Sequence, residues 1–205
     1  MKTIAFLNCH KEIQRKLIHL SSLWMPALIY GTGAAAIPIL VYAWILVIIY
    51  EILRRYPPIS GSEPIQLLDG MLRPHEQTRF GLTGAFYVLL AAICCAFLFT
   101  DLVSVTALTI MLVGDTAASL IGRYWGTLKF WGKTVEGSAA FLVSSIIAVS
   151  VLGYAINAPE HFYPVALGAA LIGTVVEAVS GKLRIDDNLS VALAAGAFMQ
   201  IFYHF

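Results

Sequence analysis

Residues Val113–Gly137 carry the side chains of this sequence that are best suited to phosphate chemistry. Asp115 lies in an apolar run among small residues, and a basic, glycine-containing loop follows it. That loop ends in Lys133 and Thr134, with Glu136 just beyond. A carboxylate can hold a metal ion or take a proton, whereas lysine and backbone N–H groups bind phosphate oxygens. The stretch therefore indicates phosphate chemistry.

The loop is close to the P-loop pattern G-x-x-x-x-G-K-[ST] but departs from it. Five residues, rather than four, separate Gly126 from Gly132, and no strand precedes the loop. These differences exclude a P-loop NTPase fold. Lys133 and the backbone N–H groups that open the next helix can still form an anion site. The alternative is that Thr134 only caps that helix.

The composition places these residues in a membrane protein. The 205 residues are 59% hydrophobic and 12% charged, with a mean hydropathy of +0.81; soluble domains have about 25% charged residues. Apolar segments of about 20 residues cross a bilayer as helices, because hydrocarbon offers the backbone no other partners. The sequence predicts an all-α membrane helix bundle, in a single domain over residues 1–205, with about seven transmembrane helices at 17–33, 35–53, 81–99, 102–121, 136–156, 162–180 and 188–204.

The charges support the count of seven. If the seven spans alternate in direction, all 13 Lys and Arg residues lie on one side, which the positive-inside rule makes cytoplasmic together with the N-terminus. The opposite connections carry only Asp101, Glu160, His161 and His204. One span more or fewer would scatter the cations over both sides. No secretory signal is expected, since Lys2 is followed by only a short apolar run.

Asp115 lies about two turns from the cytoplasmic end of its predicted span. A carboxylate at that depth costs several kcal/mol unless it is paired, hydrated or metal-bound, so we interpret it as functional. Gly114, Ala118 and Gly122 recur every four residues beside it. Small residues at this spacing let a neighbouring helix approach closely.

Other carboxylates and cations fall at the same end of the bundle. Glu177 lies in the sixth predicted span, and Asp187 opens the seventh, where it is either a site residue or an N-cap. Glu51 is spaced for an ion pair with Arg55 at i,i+4. The full cytoplasmic set is Arg15, Glu51, Asp115, Arg123, Lys129, Lys133, Glu136, Glu177 and Asp187. Such a set can hold Mg²⁺ and a polyphosphate, as phosphoryl transfer requires.

The entry to the first span has a functional and a structural interpretation. Arg15 and His19 are one helical turn apart, and Glu12 is spaced for a pair with Lys16. Arg15 and His19 either take part in the site or only anchor the helix at the membrane edge. The connection 54–80 contains prolines and glycine that exclude a continuous helix, and it is either a lipid entrance at the interface or a solvated loop.

Four groups of residues resemble the motifs of a known family. They are Arg15-Lys16-x-x-His19; Arg73-x-His75-Glu76; the block from Gly114-Asp115 through Gly122, Gly126, Gly132-Lys133-Thr134 and Glu136-Gly137-Ser138; and Glu177 with Asp187-Asn188. The family is the CTP-dependent lipid-alcohol kinases: dolichol kinase, phytol kinase and the yeast-type diacylglycerol kinase, distant relatives of the phosphatidate cytidylyltransferases. The long block is the most specific of the four.

The resemblance implies CTP as the donor and a membrane alcohol as the acceptor. It assigns Lys133, Arg123, Lys129 and Thr134 to the nucleotide. It assigns Asp115, Glu136 and Asp187 to Mg²⁺ or to activation of the hydroxyl, with Glu177 and Asn188 supporting that shell. Arg15 and His19 would close the site. The catalytic residues expected on this basis are Asp115, Lys133 and His19, at the cytoplasmic face of an integral membrane protein.

The main hypothesis is transfer of the γ-phosphoryl group of CTP to a polyprenol- or dolichol-type alcohol. Phytol, a short isoprenoid alcohol or diacylglycerol is the nearest alternative acceptor. Cytidylyl transfer to a lipid phosphate is a second reaction class, and a small ion-coupled transporter is the non-enzyme alternative. We expect no nucleic-acid partner. The small-residue faces allow a homodimer as well as packing within one bundle.

Overall fold

A computed structural model describes residues 2–56, 60, 62–70, 72, 76–78, 81–183 and 186–203, with the side chains of residues 2–11, 64, 67, 68 and 183 excepted. Arg73, His75 and Arg79 lie outside the described residues. The described elements are the helices α1 (Lys2–Ser21), α2 (Trp24–Thr32), α3 (Ala36–Leu53), α4 (Glu63–Asp69), α5 (Gly84–Leu98), α6 (Asp101–Trp125), α7 (Val135–Ala155), α8 (Phe162–Leu183) and α9 (Asp187–Phe202), a 3₁₀ turn (Gly33–Ala35), and the strands β1 (Lys129–Phe130) and β2 (Lys133–Thr134).

The helices agree with the predicted all-α membrane bundle. Four described helical segments are long and apolar enough to cross a membrane: Glu12–Leu53, Asp101–Trp125, Val135–Ala155 and Phe162–Lys182. Gly84–Leu98 and Asp187–Phe202 are apolar but shorter. The chain is therefore an integral membrane protein. The count of seven spans remains a prediction.

The long apolar segment Glu12–Leu53 is folded back on itself. A continuous helix of its 42 residues would be about 63 Å long, roughly twice the thickness of the hydrocarbon core. Lys16 contacts Asp115, whereas a Cβ placed on Gly33 would lie 2.8 Å from Asp101 at the other end of α6. Gly33 has a φ of 55°, a conformation that glycine adopts without strain. The chain reverses there. The predicted span 35–53 corresponds to α3, whereas the predicted span 17–33 is divided between the end of α1 and the short helix α2.

Helix α6 is the centre of the bundle and carries Asp115. It packs against α1, α2, α5, α7, α8 and α9. Its small residues face α7, as predicted: a Cβ on Gly114 would lie 2.6 Å from the ring of Phe141, and one on Gly122 would lie 3.4 Å from the Cα of Gly137. The close approach of α6 and α7 fixes the start of α7 beside the end of α6 that carries Asp115.

The outer face of α7 is apolar. Val143, Ile147, Val151 and Tyr154 are all exposed and follow one another at intervals of three or four residues. This spacing puts them on one stripe of the helix. A large exposed apolar stripe is stable against lipid tails, which supports the membrane assignment.

A short hairpin between α6 and α7 was not predicted. Strands β1 and β2 pair antiparallel, with Lys129 opposite Thr134 and Phe130 opposite Lys133. Trp131 and Gly132 form the two-residue turn, and both have positive φ, at 47° and 86°. Two-residue hairpin turns of this kind need positive φ at both positions. The hairpin converts the predicted basic loop into a small rigid element that carries Lys133.

The charged helix ends come together at one end of the bundle. Arg123 of α6 pairs with Glu12 of α1, and the ammonium of Lys182 lies 5.0 Å from the ring centroid of Trp131. At the opposite end, the backbone N–H of Thr100 donates to the side chain of Gln200. The clustering agrees with the predicted separation of charge between the two ends. Which end faces the cytoplasm remains a prediction.

Candidate active site at the charged end of the bundle

Asp115 is paired with a cation from the first helix. The ammonium of Lys16 lies 2.5 Å from Asp115 Oδ2 and 3.3 Å from its backbone oxygen, and His19 Nε2 lies 3.3 Å from the same carboxylate oxygen. The side chains of Lys16 and Asp115 are both buried. A buried carboxylate requires such a partner because its desolvation is otherwise uncompensated. The pair joins α1 to α6.

The predicted local pair between Glu12 and Lys16 is therefore replaced by longer-range contacts. Glu12 accepts from Arg15 at 2.5 Å and from Arg123 at 2.6 Å. Lys16, on the next helical position, turns to Asp115 instead. For Glu12 and Lys16, two charged residues of this site, the sequence predicted only their local pair. Lys16 belongs to the Arg-Lys-x-x-His motif, whereas Glu12 precedes it.

Lys133 joins the other two carboxylates of the site. Its ammonium lies 2.6 Å from Glu177 Oε1 and 3.0 Å from Asp187 Oδ2. Burial would lower the pKa of Lys133, but the carboxylates of Asp187 and Glu177 outweigh it and raise the pKa well above its usual value. Ser138 donates to the other oxygen of Glu177. Lys133 is thus a fully charged cation held between α8 and α9.

The cap of α9 is one residue earlier than predicted. Asp186, not Asp187, accepts the backbone N–H of Asn188, at 3.0 Å, and it also accepts the side-chain amide of Asn188 at 3.1 Å. Burial, followed by the charge of Asp187, raises the pKa of Asp186 to about 6. Because Asp186 does the capping, the carboxylate of Asp187 is available to Lys133.

Three predicted site residues lie away from this centre. Glu136 accepts from the backbone N–H groups of Thr127 and Leu128 and from the hydroxyl of Thr127. It thereby closes the base of the hairpin. Lys129 is exposed on β1, and Arg123 is exposed and paired with Glu12. None of the three lines either cavity described below, so their roles in metal or nucleotide binding remain predictions.

A polar cavity of about 340 Å³ lies between the ends of α6, α7, α8 and α9. Thr134, whose hydroxyl accepts the N–H of Gly137 at 3.1 Å and so caps α7, lies on its wall. Thr134 therefore caps α7 at the edge of the cavity, and its role in nucleotide binding remains a prediction. The polar residues that line the cavity are Arg15, Asp115, Ser119, Lys133, Thr134, Ser138, Glu177 and Asp187.

A second cavity, of about 420 Å³, is mainly apolar. Its apolar wall includes Ile18, Met25, Leu46, Val47, Leu72, Val88 and Leu89. Its polar residues include Lys16, His19, Tyr50, Glu76 and Asn188. Arg15 and Asp115 line this cavity as well as the polar one. Asp115 therefore lies where an apolar compartment meets a charged one.

The wall of the apolar cavity near α3 is held by a buried ionic network. The carboxylate of Glu51 forms ion pairs with Arg54 and Arg55, both at 2.7 Å, and accepts the N–H of Thr83 at 2.8 Å. The predicted pair of Glu51 with Arg55 is thereby confirmed, with Arg54 added. Tyr50, next in sequence, donates to Asp69 at 2.8 Å and so ties α4 to α3. The described part of the connection 54–80 thus packs over the cavity.

The charged cavity has the donors that Mg²⁺ prefers. Among the described residues, no group of three His, Cys, Asp or Glu side chains is arranged as a ready metal cage. Mg²⁺ is commonly held by only one or two carboxylates, with water and substrate phosphates completing its shell. Glu177 and Asp187, which converge on the Lys133 ammonium, fit that pattern.

Comparison with known proteins shows that the chain is similar to several lipid kinases. No family model and no solved structure matches the chain. The CTP-dependent diacylglycerol kinase 1 of Saccharomyces cerevisiae is 27% identical, over 95% of this chain and 74% of the relative. A chloroplastic protein of Glycine max with the name probable phytol kinase 1 is 30% identical, over 60% of this chain and 45% of the relative. Dolichol kinase of Saccharomyces cerevisiae is 32% identical, over 43% of this chain and 17% of the relative.

These relatives confirm the resemblance that the sequence motifs indicated. They also make the transporter alternative unnecessary, because every one of the three is named as a kinase. The chain is thus similar to the CTP-dependent diacylglycerol kinases, the phytol kinases and dolichol kinase, and this similarity identifies it as a lipid kinase.

Proposed function

We propose that the protein transfers the γ-phosphoryl group of CTP to the hydroxyl of a membrane polyprenol- or dolichol-type alcohol, at the cytoplasmic face. The observation that carries the proposal is the position of Asp115 on the walls of both cavities. A lipid kinase has to bring a hydrophobic alcohol and a highly charged nucleotide to one point. Asp115 lies at such a point.

The polar cavity is the proposed nucleotide site. Lys133 and Arg15 supply positive charge on its wall, and the start of α7 supplies backbone N–H groups. Cations and helix N-termini stabilise the charge of a transferring phosphoryl group. CTP is proposed as the donor because the yeast relative is named as CTP-dependent.

Mg²⁺ would be held in this cavity by Glu177 and Asp187. When bound, it would neutralise part of the charge of the nucleotide phosphates. Binding of a cation to these carboxylates would release Lys133, whose ammonium they hold in the structure. Lys133 would then turn to the phosphate oxygens. Its present partners thus keep the lysine charged and close to where the nucleotide is proposed to bind.

The apolar cavity is the proposed acceptor site. Its aliphatic wall suits an isoprenoid or acyl chain, and its polar end is formed by Asp115 and its neighbours. In the proposed step, the alcohol oxygen forms a bond to the γ-phosphorus, and the bond from that phosphorus to the β-phosphate oxygen breaks. CDP leaves, and the hydroxyl proton passes to Asp115. Before the transfer, the ammonium of Lys16 pairs with the carboxylate of Asp115.

The membrane arrangement proposed for this reaction is the one with seven crossings and a cytoplasmic N-terminus. The charged residues of α1, α6, α8 and the hairpin meet at one end of the bundle. The positive-inside rule assigns that end to the cytoplasm, where CTP is available. A homodimer remains a prediction. The proposed reaction does not require one, because a single chain lines both cavities.

Product analysis tests the reaction class. Purified protein in detergent is incubated with CTP or ATP carrying a γ-phosphoryl label, and with a polyprenol, phytol, farnesol or diacylglycerol as acceptor. The proposal predicts labelled lipid monophosphate and CDP, with the highest rate for CTP and a polyprenol. Preference for phytol or diacylglycerol would select the alternative acceptor. With a lipid phosphate as acceptor, release of pyrophosphate would indicate the cytidylyltransferase alternative instead.

A further inference from the structure

Asn188 has a buried hydrogen-bond acceptor without a partner. The residue is 4% exposed, and its Oδ1 makes no hydrogen bond to any described residue. Its side-chain nitrogen donates to Asp186 at 3.1 Å. A buried polar atom of this kind costs free energy unless a ligand or a water molecule forms a hydrogen bond with it. The amide of Asn188 is therefore half satisfied by the protein.

The contact with Asp186 determines which atom of the Asn188 amide has no hydrogen-bond partner. The carboxylate of Asp186 also accepts the backbone N–H of Asn188, at 3.0 Å, and so acts as an acceptor at the start of α9. An ionised carboxylate can bind only the NH₂ end of an amide. The backbone N–H and the side-chain NH₂ of Asn188 both donate to Asp186. The side-chain oxygen of Asn188 therefore points away from Asp186.

Asn188 lines the apolar cavity and not the polar one. Asp115 and Lys16 line the same cavity. An acceptor atom at the charged end of an apolar cavity suits a ligand with a long hydrophobic body and one hydrogen-bond donor at its tip. A nucleotide phosphate carries no such donor at neutral pH.

We infer that Asn188 Oδ1 accepts the hydrogen bond of the acceptor hydroxyl and makes the protein bind a lipid with a free hydroxyl more tightly than one without it. This inference rests on the proposed function and revises the role of Asn188, which the resemblance placed in the nucleotide and metal shell. The hydroxyl has one hydrogen, which points to Asn188 while Lys16 occupies Asp115. As the bond to phosphorus forms, rotation about the C–O bond brings that hydrogen to Asp115, since proton loss is late in a loose transition state.

The test compares farnesol with its methyl ether, which keeps the chain and the oxygen but has no donor. Binding of each is measured on the purified protein without nucleotide, from the shift in its thermal unfolding over a concentration series. We expect the wild-type protein to bind farnesol roughly tenfold more tightly than the ether. Asn188→Leu should abolish that preference. Asn188→Ala, which adds no bulk, provides the same test if the leucine variant does not fold.

Trp44→Phe is the matched control. Trp44 Nε1 is also buried without a partner among the described residues, but Trp44 lines neither cavity. The control should retain the full preference for farnesol, and stabilisation by CTP should persist in all variants. A retained preference in the folded Asn188 variants would overturn the inference and leave the proposed function intact. Failure of the wild-type protein to bind farnesol or any of the longer alcohols would overturn both.

Discussion

Lys16 and Asp115 are 99 residues apart in the sequence and form a buried ion pair, with 2.5 Å between the ammonium and Oδ2. The pair has two consequences. It fixes the first helix to the central helix, and it places a cation beside a buried carboxylate whose desolvation would otherwise be uncompensated. The site therefore depends on a contact between distant parts of the chain.

Removal of Lys16 should destabilise the fold through the charge that is left behind. Lys16→Met leaves Asp115 buried without its cation, and we expect a loss of about 3 kcal/mol. The double variant with Asp115→Asn should lose much less than the sum of the two single variants. Thermal or denaturant unfolding of the four proteins in one detergent measures this. Additive losses would show that the two side chains do not stabilise each other.

Lys133→Ala should weaken nucleotide binding more than lipid binding. Loss of a charge-assisted contact to phosphate is expected to raise the KM for CTP roughly tenfold to a hundredfold, with a smaller change in the KM for the alcohol. Lys182→Ala is the control, since its ammonium lies over the Trp131 ring. An equal effect of the two substitutions would argue against a nucleotide site at Lys133.

Lys129→Ala separates the sequence-based prediction from the structural one. The family resemblance assigns Lys129 to the nucleotide, whereas the side chain is exposed on β1 and lines neither cavity. On the structural account, the KM for CTP changes less than threefold. A change as large as that of Lys133→Ala would instead support the sequence-based role of Lys129.

The Mg²⁺ requirement should depend on Glu177 and Asp187 rather than on Glu136. Glu177→Gln or Asp187→Asn is expected to raise the Mg²⁺ concentration for half-maximal activity about tenfold or more, because each removes a charged oxygen ligand. Glu136→Gln should leave that concentration unchanged, since Glu136 binds the loop backbone at residues 127 and 128. Titration of MgCl₂ at fixed CTP measures it. A larger effect of Glu136→Gln than of Glu177→Gln and Asp187→Asn would place the Mg²⁺ site at Glu136 instead.

Gly122 should not tolerate a side chain. A Cβ there would lie 2.7 Å from the Thr134 hydroxyl, so Gly122→Ala separates α6 from the cap of α7. Overpacking of this kind costs about 1–3 kcal/mol. Gly31→Ala is the matched control, because a Cβ added there would have no atom of another described element within 4 Å. Unfolding measurements on both variants should show a loss for Gly122 alone; equal stability would contradict the close packing.

The sequence predicted the structure best where a feature depends on composition or on residue spacing within one helix. Hydropathy predicted the apolar helices, and the spacing of Gly114, Ala118 and Gly122 predicted the close approach of a neighbouring helix, which the structure shows to be α7. The i,i+4 rule correctly paired Glu51 with Arg55. In each case the interaction involves one helix or one repeated spacing, which the sequence displays directly.

The same rules failed where a distant partner competed with a local one. Glu12 and Lys16 have the spacing of a helical pair, but burial of Asp115 makes its contact with Lys16 more favourable. The cap of α9 was misplaced by one residue because two adjacent aspartates have equal propensity. The hairpin was missed because its Trp131-Gly132 turn lacks the usual Asn-Gly signal.

The proposed phosphoryl transfer requires Asp115 to take the hydroxyl proton. Asp115→Asn should keep the fold and CTP binding but lower the rate of phosphoryl transfer about a thousandfold. The decisive measurement is a single-turnover assay with γ-labelled CTP and a polyprenol, on folded variant protein that CTP still stabilises against thermal unfolding. The account predicts that labelled lipid monophosphate almost disappears. Formation of that product at the wild-type rate would contradict it.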